Sequence, residues 1–179
     1  MAQIFDSLSD EHRLFIERQK VFFVGTAARD GRVNVSPKGQ PSLTILDPTR
    51  ILWLSLTGSG NETAAHLIDT NRMTLMWCAF EGPPRILRVY GRAQAIYPDH
   101  DEWEACTQRI PAPAGARQYY TVEVETVQTS CGYAVPFMDY REDRDTLTRW
   151  TEKKTPQELH DYRVEKNTLS IDGFPTRTA

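Results

Sequence analysis

Cysteine is scarce in this chain: Cys78, Cys106 and Cys131 are the only three in 179 residues. Their number is odd, their spacing is wide and no C-x-x-C pair occurs, which argues against a disulfide framework or a thiolate metal site. Reduced thiols in a cytoplasmic protein are the expectation, with no metal. An excess of either charge is also lacking. The 21 Lys and Arg residues nearly balance 24 Asp and Glu, for a net charge of −3 and a pI near 5.8. Such a balance gives no general attraction to nucleic acid or anionic lipid, so any anion site must be local. No apolar run approaches membrane-spanning length, and Met1 to Asp10 lacks the basic region and apolar core of a signal peptide. No internal repeat or low-complexity segment is present.

What remains is ordinary globular material, 40% hydrophobic and 25% charged, enough for one domain over residues 1–179 with a sizeable core. An N-terminal helix is expected within 1–20, and helices and a tail over 140–179. The organising stretch is Ile51-Leu-Trp-Leu-Ser-Leu-Thr-Gly-Ser-Gly-Asn-Glu-Thr-Ala-Ala-His-Leu67. Its apolar first half reads as a buried strand ending near Thr57. Gly58 and Gly60 permit a tight turn, and Asn61 can cap a following helix. Unpaired N–H groups of that helix, with the hydroxyls of Thr57, Ser59 and Thr63, make a candidate phosphate cradle. Taken alone, the stretch is more ordinarily a strand-to-helix connection with a polar cap. A dinucleotide fingerprint would have glycine at Thr63, and a Walker loop would have Gly-Lys-Ser/Thr; neither occurs.

Taken in order, Ser9 can cap a first helix with Leu14 and Phe15 inward and His12 in solvent. Val21 to Ala28 reads as a strand, Arg29-Asp-Gly-Arg32 as a hairpin turn, and Val33 and Val35 begin the return strand. Pro37 in Ser36-Pro-Lys-Gly39 cannot donate to a ladder and marks a bend or exposed edge, where Lys38 could face a ligand. Leu43 to Leu46 is a short strand, and Arg72 to Phe80 a strand buried on both faces. Arg85 to Ile96 is a long strand with Arg88, Tyr90 and Arg92 on one face and a bulge or close approach at Gly91. Asp99 and Glu102 form a capping-box pattern. Tyr119 to Val127 alternates with Tyr120, Val122 and Val124 inward; Glu123 and Glu125 face outward and are given no catalytic role. Asp143 or Asp145 can cap a short helix, Thr155-Pro-Gln-Glu158 opens another, and the last residues form a tail without a core of its own. Six or seven strands joined by tight turns, with few short helices, predict a mainly β (α+β) fold: an antiparallel barrel with helices at its rim.

Four segments, in this order, resemble one family: Val33-Asn-Val-Ser-Pro-Lys-Gly39, Thr57 to Leu67, Glu81 to Gly91 and Cys131-Gly-Tyr-Ala-Val-Pro136. The family is the pyridoxamine 5′-phosphate oxidase-like, FMN-binding split-barrel family. The likeness spans roughly residues 20–135, and Lys166-Asn-Thr-Leu-Ser-Ile-Asp-Gly173 resembles an uncharacterised subgroup of it. The resemblance implies a split barrel and a homodimer with FMN at the subunit interface. By motif, Val35, Ser36 and Lys38 would line the flavin, while Thr57, Ser59, Asn61, Glu62 and Thr63 would surround the phosphate. Arg85 and Arg88 would approach from the facing strand.

The chain also departs from the oxidase. Where the oxidase has Ser-Arg-Lys this chain has Asn61-Glu62-Thr63, losing two cations and adding an anion that must be compensated or point away. Ile86 replaces a glutamine, and no Arg-x-His substrate motif occurs. These departures weigh against pyridoxamine-phosphate oxidation and leave FMN binding in place. The resemblance therefore implies an FMN-dependent oxidoreductase passing a hydride between flavin and a small substrate. Alternatives are a deazaflavin- or haem-binding split barrel, haem requiring an axial ligand among His12, His66, His100 and His160, and a flavin-binding module without turnover.

Overall fold

The structure is a computed structural model describing residues 2–39 and 41–177. Its centre is β8 (Ala116–Ser130), a 15-residue strand rich in β-branched and aromatic residues. β7 (Ile86–Ile96) pairs along its length on one side. On the other side β5 (Arg50–Leu56) covers its first half and the short β1 (Gln3–Phe5) its second. β4 (Leu43–Asp47) extends the sheet beyond β5; beyond β7 follow β6 (Arg72–Cys78), β2 (Val21–Thr26) and β3 (Asn34–Gly39). Every pairing is antiparallel, and the eight strands curl into the split barrel that turn spacing predicts.

The concave face buries Phe22, Val24, Trp53, Leu75, Trp77, Leu87 and Tyr120. Trp53 stacks on Tyr120 with ring centroids 4.5 Å apart. Beneath α3 (Trp103–Thr107) a second cluster joins Leu52, Leu54, Ile96, Cys106, Ile110 and Tyr119. Tyr119 and Tyr120 thus serve opposite faces, as the strand period requires. Gly91 lies at a bulge, since Tyr90 pairs with Thr126 and Gly91 with Val124.

Several expectations need correction. In α1 (Asp10–Arg18) it is His12 and Ile16 that are buried, while Leu14 is 53% exposed. His12 occupies the position of the acid in a capping box: its Nδ1 accepts from Ser9 N and its own N–H donates to Ser9 Oγ, both at 3.2 Å. The imidazole is therefore half of a cap rather than a solvated side chain. Val33 lies before β3, and seven residues rather than a tight turn join β2 to β3. β6 alternates, with Thr74 and Met76 only half-buried. Asp99 does not cap α3; Glu102 holds the N-cap position without a side-chain bond. At α4 (Thr146–Glu152) Asp145 holds that position, likewise without one.

Thr155 and Glu158 do form the expected capping box of α5 (Pro156–Asn167). The segment after α5 folds back on itself through a bridge between Leu169 and Pro175, with Gly173 at φ +81° in the turn. Asp172 pins it by accepting from Arg32 N and pairing with the Arg32 guanidinium. No helix among the described residues is long and apolar enough to cross a membrane.

Candidate functional site

Pro37 lies on the last strand of the sheet, where its missing N–H costs no ladder bond. Along β3, Asn34, Ser36 and Lys38 are half-buried and Val35, Pro37 and Gly39 exposed, so three polar side chains share one face. That face looks into a groove of about 310 Å³, closed on the other side by Ser55, the turn Gly58 to Asn61, Glu62, Thr63 and Arg117. Asn34 ties the two walls together, donating through Nδ2 to Thr26 Oγ1 at 3.1 Å and Thr63 Oγ1 at 3.3 Å.

Arg117 is the groove's deepest cation, 8% exposed. It sits at a bulge in β8, where Ser55 pairs with Gln118 but Leu56 pairs with Ala116. The extra residue is thereby turned towards the groove. Its Nη1 donates to Gly60 O at 2.9 Å and Asn167 Oδ1 at 2.8 Å, and its Nη2 to Ser55 Oγ at 3.1 Å. Nε is buried with no partner among the described residues. Behind it, Arg163 donates to Thr57 Oγ1 and Ala116 O. None of the ion pairs among the described residues involves Lys38, Arg117 or Arg163. Burial, with the charge of Arg117, brings the Lys38 ammonium down to about 8. Burial likewise lowers Arg117 to about 10. The groove thus desolvates two cations with which no carboxylate forms an ion pair among the described residues, an arrangement that favours an anion.

The turn adds neutral donors. α2 (Glu62–Asp69) begins here, and Asn61 at its N-cap makes no capping bond. The first N–H groups of the helix therefore lack both an intrahelical acceptor and a side-chain cap. The Asn61 carboxamide is 2% exposed and turns instead to Gln118, accepting from Nε2 at 2.8 Å, while its own Nδ2 has no partner among the described residues. Glu62 does not oppose an anion directly, because both of its carboxylate oxygens accept from Ile171 N, at 3.1 and 3.2 Å. The added negative charge is thus drawn onto the segment after α5.

Of the residues singled out by sequence, Ser36, Lys38, Ser59, Asn61, Glu62 and Thr63 line this groove together. Thr57 does not: it is fully buried beneath the turn, its hydroxyl donating to Gly115 O and accepting from Arg163. Val35 is 66% exposed and alternates away from the groove-facing side chains of β3. Arg85 pairs with Glu11 at 2.6 Å and lies over the Phe15 ring. Arg88 donates to Ser130 Oγ. Neither arginine lines the groove within one chain. Asn34, Ser55, Arg117 and Asn167 escaped the sequence reading. Arg117 precedes the stretch of clean alternation and is aimed by a bulge that no residue type announces.

Nor does any histidine line the groove. His66 is buried against Thr26, His12 caps α1, His100 meets Arg177, and His160 is exposed on α5. Among the described residues no group of three or more His, Cys, Asp or Glu could hold a metal ion.

Comparison with known proteins places this geometry. Residues 8–131 match the family model described as pyridoxamine 5′-phosphate oxidase. A pyridoxamine 5′-phosphate oxidase family protein of Aspergillus flavus, ustO, is 34% identical over 98% of this chain and 78% of its own length. Among solved structures, a candidate pyridoxamine 5′-phosphate oxidase of Lactobacillus delbrueckii superposes with a TM-score of 0.53 at 20% identity, over 69% of this chain and 94% of that one. The FAD binding protein of Mycobacterium smegmatis gives 0.51 at 12% identity, over 72% and 98%. The haem storage protein HutZ of Vibrio cholerae gives 0.50 at 15%, over 70% and 97%. At such identities the structures attest the fold alone, and it is the match of residues 8–131, with the fungal relative, that identifies the chain as a member of the pyridoxamine 5′-phosphate oxidase family.

Proposed function

We propose that this chain binds FMN by its terminal phosphate and acts as an oxidoreductase passing a hydride between the flavin and a small substrate. The observation that carries the reading is the convergence of Lys38 and Arg117, two cations in no ion pair among the described residues, on one groove rimmed by hydroxyls and a helix N-terminus. Ser36, Ser59, Asn61 and Thr63 would share the phosphate with them, Thr57 would brace the turn from below, and Val35 would flank the ring. Arg85 and Arg88, which do not reach the groove in one chain, would serve the site of a second copy in a homodimer. Once bound, the flavin supplies the two-electron chemistry. The chain's own contribution is to hold the phosphate, fix the flavin's orientation and exclude water from the groove. Membership of the family and the free thiols of Cys78, Cys106 and Cys131 support a cytoplasmic flavoprotein.

The direct test is an absorbance spectrum of the purified protein, with mass spectrometry of the small molecule released by acid. Flavin bands and the mass of FMN are expected. A haem spectrum, or a colourless protein that fails to take up added FMN, would overturn the reading.

Lys38 gives this binding a pH signature. The FMN phosphate carries its second charge above about pH 6, and the free protein's Lys38 holds its proton below about 8. FMN affinity is expected to be greatest between these limits and to fall as pH rises past the upper one. Lys38→Met should cost about tenfold at neutral pH and flatten that upper limb. An unchanged limb in the variant removes Lys38 from the phosphate site. Stability without ligand runs the other way. The folded pKa lies below lysine's ordinary 10.5, so between about 8 and 10.5 the unfolded chain binds more protons, and Lys38 makes stability rise with pH there.

A further inference from the structure

Asn167 is fully buried in the last turn of α5, outside the stretch 8–131 that matches the family model. Its two amide atoms have opposite tasks. Oδ1 accepts from Arg117 Nη1 at 2.8 Å, and Nδ2 donates to Gly58 O at 2.9 Å. The partners dictate this orientation, because a guanidinium only donates and a carbonyl only accepts. A single neutral side chain therefore fixes both the buried cation and the backbone of the turn.

The choice of amide over carboxylate is the informative point. A buried arginine is normally paired with an acid, and an aspartate differs from asparagine by only one group. Here every acceptor that Arg117 meets is neutral: Gly60 O, Asn167 Oδ1 and Ser55 Oγ. These use three of the five guanidinium donors, leaving one on Nη2 and the one on the unpartnered Nε. Burial brings the Arg117 guanidinium down to about 10.

We propose that Asn167 is a positioning residue of the anion site: its neutral amide aims Arg117 and the turn without neutralising the guanidinium, keeping that charge for the phosphate of a bound ligand. The inference rests on the groove being the phosphate site. It assigns to the C-terminal helix a part in ligand selection, and specifically a preference for phosphorylated over unphosphorylated flavin.

The test compares FMN with riboflavin, which lacks the phosphate, by quenching of flavin fluorescence in the wild type and in Asn167→Asp. The aspartate keeps an acceptor towards Arg117 but cancels its charge. FMN binding is expected to weaken at least about tenfold relative to riboflavin. A purely structural role would change both ligands together, so a variant that keeps the wild-type FMN-to-riboflavin ratio overturns the proposal. Thermal melting with inorganic phosphate separates this from the flavin reading. If the wild type shows no preference for FMN but is stabilised by phosphate, and Asn167→Asp is not, the flavin reading fails and the role of Asn167 stands. If phosphate stabilises neither and no preference exists, both fall. Should Asn167→Asp not fold, Ser55→Asp places the carboxylate on the other side of the guanidinium. It must abolish the FMN preference too, and its retention overturns the proposal.

Discussion

Replacing Arg117 with methionine is expected to weaken FMN binding on the order of 100-fold while changing riboflavin binding by less than about threefold. Arg117 brings to the groove its positive charge and one uncommitted donor on Nη2. A hydrogen bond to a charged group contributes about 1.5–3 kcal/mol, and losing one together with the cation's charge gives about 3 kcal/mol. The fold is expected to survive. Removing an unpaired buried cation is favourable, whereas Gly60 O and Asn167 Oδ1 lose a donor, and these terms oppose each other. Fluorescence titration decides the matter. FMN and riboflavin weakened to the same degree would mean that Arg117 supports the turn and does not meet the ligand.

The largest effect on stability is expected at Gly91. A Cβ added there lies 2.1 Å from Glu123 O and 3.1 Å from Val122 Cγ1. The first of these is backbone of the central strand β8, held by pairing on both sides, so it cannot step back as a flexible side chain would. Gly91→Val must therefore spread β7 from β8 at the bulge. A cost of about 3 kcal/mol or more follows, which for a domain of this length lowers the melting temperature by about 10 °C. A calorimetric midpoint within about 2 °C of wild type would show that the bulge can open without penalty.

The parts of this site that could be read in the sequence are those whose residue types have local meanings. Gly58, Gly60 and Asn61 after an apolar run announce a strand, a turn and a helix, and all three are present. Pro37 announces an edge, and Lys38 beside it does face the groove. The parts that could not be read depend on register or on distant partners. Arg117 enters through a bulge, which shifts a side chain to a new face without changing composition. Asn167 ends a largely polar helix, and nothing in that helix distinguishes it from its neighbours until Gly58 and Arg117 are seen beside it. Asn61 is a cap by type, yet its carboxamide is claimed by Gln118. The anion Glu62 sits at odds with a candidate phosphate cradle, and its partner, the Ile171 N–H, lies 109 positions away in the sequence. β1 is too short, at three residues, for its periodicity to be legible.

Those long spans also order events in time. The turn at Thr57 to Glu62 is secured by Arg163, Asn167 and Ile171, at separations of 106, 109 and 109 residues. Closing such distant contacts is entropically slow, and on a ribosome the partners emerge only after the last sheet strand has been made. The nascent protein thus passes through an interval in which its barrel strands are all available while the turn from Thr57 to Glu62 has no clasp. On the proposed flavin reading, uptake would come at the end of biosynthesis, when α5 docks, and a yellow colour would mark finished chains rather than merely folded sheets.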